Sequence, residues 1–187
     1  MRYKEYERAS LKHLKACQAM LAGLSCQAKS ISVAEKEYLL MDIFYLSGYT
    51  LECIINFALF KEVYKKPHNK PKYNDYTNVK IVEDSTLNFA FKFRTKANSK
   101  GYAYCIQTHN FYKNIQLLNN LVGKNTIPLI SNPKTVPPNL LQMIRNWKAE
   151  ARYDTNIKYD EKDIKSLVEL TEKVYNAIID PRMGIGL

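Results

Sequence analysis

A chain of 187 residues with 28 Lys and Arg against 18 Asp and Glu carries a formal net charge of +10, and 46% of its residues are hydrophobic. That length suits one domain with its own core, and 6 Gly with 7 Pro exclude a fibrous or low-complexity chain. Cys17, Cys26, Cys53 and Cys105 have no C-x-x-C spacing and no His at finger distance, so no metal site or disulfide framework is expected. The first eight residues are charged where a secretory leader is apolar, and no run suggests a membrane span. A cytoplasmic protein without membrane, metal or cofactor is expected.

Over residues 3–28 the apolar positions Leu11, Leu14, Cys17, Met20, Leu21 and Leu24 recur every three or four residues, which predicts an amphipathic helix. Ser32 followed by Glu35 forms an S-x-x-E capping box and opens a second helix running to about Tyr64. Its middle, 43–60, is apolar on nearly every side, as in a helix that is central to a fold or pairs with another chain. Pro67 and Pro71 end that helix. Residues 78–81 and 88–94 then alternate with period two around Glu83-Asp84-Ser85, which predicts a β-hairpin between helices. Helical spacing returns at Phe111, Ile115, Leu118 and Val122, and again at Leu141, Ile144 and Trp147 after Pro138. A last helix carries Ile164, Leu167, Val168, Thr171, Val174 and Ile178 up to Pro181. The expected fold is all-α: an antiparallel up-and-down helical bundle with an inserted β-hairpin in a long crossover, as one domain over 1–187.

The chain has no G-x-G-x-x-G, Walker loop, H-E-x-x-H or G-x-S-x-G, so function must be read from polar residues in unexpected places. Glu52 and Asn56, four apart in the most apolar helix, share a face; they mark either a structural polar contact or a site for an Arg or a ligand. His109, between Thr108 and Asn110, either caps a helix start or bonds a ligand. The stretch 145–154 gathers Arg145, Asn146, the single Trp147, Lys148, Glu150, Arg152, Tyr153 and Asp154. It is either a solvated helix end or a place where Arg145 and Arg152 hold phosphate or pair with Glu52.

Together, Gly48-Tyr49-x-x-Glu52, Thr108-His109-Asn110-Phe111 and Ala151-Arg152-Tyr153-Asp154, in that order, resemble the HEPN domains of prokaryotes over residues 9–178. The resemblance implies an antiparallel helical bundle that forms a homodimer through its central helices, often beside a nucleotidyltransferase partner or, in toxin-antitoxin systems, an antitoxin. It also implies RNA or nucleotide binding, with Glu52, Asn56, His109, Asn146, Arg152 and Tyr153 as ligand- or partner-binding positions. The ribonuclease branch of that family carries an Arg followed, after four to six residues, by a His. Here Arg145-Asn146 is followed at that spacing by Glu150, Ala151 and Arg152, so the His is absent. An accessory module is therefore expected, and the alternative is a metal-independent endoribonuclease using Arg145 with Glu150 in place of the imidazole.

Charge is uneven along the chain. Residues 61–100 hold ten Lys and Arg against four Asp and Glu, whereas 155–180 hold four against six. The crossover, 65–107, is thus a basic insertion, and Phe89, Phe91 and Phe93 alternate there with Lys92 and Arg94, followed by Lys96. Those three cations are nucleic-acid candidates, with the rings available either for base stacking or for packing on the bundle.

Overall fold

A computed structural model describes residues 3–26, 30–65, 80–82, 90–94, 102–107, 114–115, 118, 136–153 and 157–180. Its helices are α1 (Tyr3–Cys26), α2 (Val33–Lys65), α3 (Pro138–Asn146) and α4 (Glu161–Ile179), with a 3-10 turn over Ala149–Tyr153 between the last two. The described part is helical, in agreement with the all-α class. Three short backbone segments, β1 (Lys80–Val82), β2 (Ala90–Arg94) and β3 (Tyr102–Gln107), pair antiparallel in that order.

The starts of α2, α3 and α4 each have a local cause. Ser32 Oγ accepts from the Glu35 amide at 3.3 Å, and the Glu35 carboxylate takes the Ser32 amide at 2.9 Å and the Ser32 hydroxyl at 2.6 Å. The expected capping box thus opens α2, and those hydrogen bonds hold the Glu35 carboxyl below its ordinary range. Pro138 stands in the first turn of α3, where a missing amide proton costs nothing. Asp160 caps α4 by accepting from the Lys162 amide at 2.8 Å.

Small polar side chains take part in the α1–α2 seam. Ser10 Oγ donates to the Thr50 carbonyl at 2.9 Å, and Cys17 Sγ lies 3.6 Å from both the Ile43 carbonyl and Ser47 Oγ. Going forward along α1 from Ser10 to Cys17 runs backward along α2 from Thr50 to Ile43, so the two helices are antiparallel. Leu11, expected on the buried stripe, is 41% exposed. The contact line passes through Ser10, Leu14, Cys17 and Leu24 instead, because a hydroxyl bonded to a carbonyl lets the backbones approach more closely than a leucine would.

Helix α2 is the centre of the fold. Residues 51–59 are buried without interruption, with Ile54, Ile55, Ala58 and Leu59 fully so. It is packed by α1, α4 and the 3-10 turn. The apolar girth that suggested a central or chain-pairing helix is accounted for inside one chain. By length and composition Val33–Leu59 is also long and apolar enough to cross a membrane, contrary to the expectation that no run would be; 61% of its apolar window is buried within the fold. Ile164, Leu167, Val168, Thr171, Val174 and Ile178 of α4 are buried as their spacing predicted, and Tyr159 stacks on Phe44 at 4.3 Å. Exposed links tie the N-terminal half of α2 to the start of α4 and the segment before it: Lys36 to Glu161 at 2.6 Å and Lys158 to Glu37 at 2.8 Å. Each is worth little in water, so they orient the helices more than they stabilise them.

Candidate functional site

Glu52 is 7% exposed, a buried carboxylate in the body of α2. Tyr6 of α1 and the neighbouring Cys53 share its surroundings. Burial, then the charges of Cys53 and Glu52, push the Tyr6 phenol up to about 12, and burial with Glu52 pushes the Cys53 thiol up to about 12. A carboxylate so placed disfavours any second negative charge nearby. Asn56, one turn further on, is 2% exposed, and its Oδ1 accepts from Asn114 Nδ2 at 3.1 Å. Asn114 is itself buried and was not singled out in the sequence. Its signal was there: it lies beside Ile115 and four before Leu118, a polar side chain on a stripe read as apolar.

The stretch from Arg145 onward is built around Trp147. Helix α3 ends at Asn146, and Trp147, with φ −65° and ψ 129°, turns the chain into the 3-10 turn. Its indole is 4% exposed and donates from Nε1 to the Tyr45 carbonyl at 3.2 Å. It lies against Gly48 of α2, where a Cβ would overlap Nε1, Cε2 and Cδ1. Glycine inside a helix costs about 1 kcal/mol relative to alanine, and here the indole takes the space that the missing side chain leaves. Tyr49 meets the indole edge-on at 5.3 Å and 88°, Tyr45 lies 6.4 Å away, and the two tyrosines meet at 4.8 Å. His13 of α1 joins the group, 6.0 Å from Tyr49, and burial followed by the charge of Lys12 lowers its pKa. Helical spacing puts Tyr45, Gly48 and Tyr49 on one face of α2, but that His13 and Trp147 meet them there was not legible in the sequence, since nothing in local spacing joins those segments.

On either side of the buried indole, Arg145, Asn146, Lys148 and Glu150 are exposed, and Tyr153 is 70% exposed. Four of the predicted positions, Arg145, Asn146, Glu150 and Tyr153, are thus exposed within nine residues of the chain. Glu52 and Asn56 are buried in α2. Arg152 has its backbone in the 3-10 turn and Lys92 and Arg94 theirs in β2, but their side chains lie outside the described residues. His109 and Lys96 lie outside them altogether. Among the described residues, no group of three or more His, Cys, Asp and Glu could hold a metal ion. Comparison with family models, curated proteins and solved structures yields no match.

Proposed function

We propose that this chain is a HEPN-type accessory module that binds RNA or a nucleotide through the corner formed by Arg145, Asn146, Lys148 and Tyr153. The observation that carries the reading is exposure around a buried residue: Trp147 is enclosed, while Arg145, Asn146, Lys148 and Tyr153, with the acidic Glu150 among them, are exposed. Guanidinium and ammonium groups suit phosphate oxygens, and an exposed ring suits a base. The net charge of +10 favours the same class of ligand. In this reading the helices form an antiparallel up-and-down bundle, the 65–107 segment is an inserted basic β-hairpin element, and the module acts as a homodimer. A nucleotidyltransferase or antitoxin partner supplies any catalysis.

The test is fluorescence anisotropy with a labelled single-stranded RNA at several salt concentrations. Affinity should fall as salt rises, and changing both Arg145→Ala and Lys148→Ala should reduce the salt slope by about 1.4, at roughly 0.7 for each phosphate no longer neutralised. Binding that is absent, or indifferent to salt and to both substitutions, would sink the proposal and leave a protein-binding module. Metal-independent cleavage of the RNA that disappears in Arg145→Ala would replace it with the endoribonuclease alternative.

A further inference from the structure

We infer that Gly48 and Trp147 form a lock that positions the exposed corner, so that the arrangement of Arg145 and Lys148 is set from inside α2. The inference rests on the reading of that corner as the binding surface. Its geometric basis is independent of that reading. The backbone changes direction at Trp147, between the end of α3 and the 3-10 turn, so the two cations sit on opposite sides of a pivot. What holds the pivot is the indole. It is seated over a glycine with no room for a methyl group, is tied by Nε1 to the Tyr45 carbonyl, and is bounded by the rings of Tyr45 and Tyr49. No shorter side chain at position 147 could fill the notch and make the same hydrogen bond. Gly48 and Trp147 are therefore positioning residues, acting on a ligand through Arg145 and Lys148.

A methyl group at position 48 must displace the indole, because the three atoms it meets belong to a rigid ring and not to the far end of a flexible chain. Gly48→Ala also favours helix, so α2 itself is expected to persist. Trp147 is the single tryptophan in the chain, which makes its emission a direct reading of the lock.

The experiment follows acrylamide quenching of Trp147, far-ultraviolet circular dichroism and RNA anisotropy for the full chain and for Gly48→Ala. Expected are unchanged helicity, a more quenchable and red-shifted tryptophan, and RNA affinity weaker by about tenfold, near 1.4 kcal/mol. Trp147→Phe, which keeps a ring over Gly48 but loses the Nε1 donor, should retain more affinity than Trp147→Ala. A Trp147 that stays as shielded in Gly48→Ala as in the wild type would overturn the lock. An exposed Trp147 with unchanged RNA affinity would overturn its positioning role, as would wild-type affinity in Trp147→Ala should Gly48→Ala fail to fold. Failure of the wild-type chain to bind RNA overturns the binding reading and the positioning role with it, and quenching still distinguishes that result from a failure of the lock.

Discussion

Single residues in this protein show how burial changes chemistry. Cys17 and Cys53 are buried, and their thiols are pushed up to about 11 and about 12, chiefly by loss of hydration. Tyr6 moves the same way, to about 12. All three are held protonated in the fold and lose their protons more readily in the unfolded chain, where thiols and phenols titrate near 9 and 10. The folded state therefore binds more protons above about pH 9, and stability falls as pH rises from there through 11 to 12. Two measurements follow. Urea midpoints taken across pH 8 to 11 should decline at the alkaline end, and less steeply in Tyr6→Phe. Thiol labelling at pH 8 with peptide mapping should modify the exposed Cys26 and spare Cys17 and Cys53; modification of Cys17 or Cys53 in the folded chain would contradict this burial. Position 52 shows why local sequence gives only half of a polar residue's meaning. The carboxylate and the thiol next to it were legible along the chain, but the phenol neighbour, Tyr6, depends on where α1 crosses.

At the scale of elements, the legible features were those that depend on a few adjacent residues. The Ser32–Glu35 box, the proline opening α3 and the apolar spacing of α4 each act within one or two turns, and all three stand in the structure. Helix α2 is different. Its apolar residues lie all round, so periodicity could not choose between a core helix and one covered by a second chain. Packing inside the chain leaves every residue of 51–59 buried. Ile54, fully buried there, is a sensitive probe: Ile54→Ala should lose about 2–4 kcal/mol in urea denaturation by removing apolar packing and leaving a cavity. A loss below about 1 kcal/mol would mean that α2 is less enclosed than its burial indicates. The buried Asn56–Asn114 pair belongs to this scale too. It joins residues 58 apart in sequence, and an amide bonded to an amide gives the site a structural contact where a ligand was also conceivable.

For the whole molecule, central burial of α2 changes what a homodimer would have to be. Residues already enclosed within the chain are not available to a second copy, so the proposed dimer must use other surfaces and its protomers must be folded on their own. Sedimentation velocity on dilution should then give monomers whose circular dichroism is unchanged. Dissociation accompanied by loss of helicity would instead mean that the copies complete each other's core. Charge also acts at this scale. The formal +10 draws any polyanion toward the protein, but it does not choose a site; the proposed site is the exposed stretch around Trp147.

By itself the sequence determined the helical class, the starts of α2 and α3, the buried stripe of α4 and the unusual density of charge after Arg145, because caps, periodicity and composition are local properties of the chain. Only the tertiary structure decided that Gly48 is a seat for Trp147, that Asn56 answers Asn114, that Glu52 lies beside Tyr6, and that Arg145 and Lys148 flank a buried pivot. The first three facts join residues far apart in the sequence, and the fourth follows from the burial of Trp147 against α2. Which side chains meet across helices is set by the packing of the whole core, and no repeat or motif along one segment encodes it.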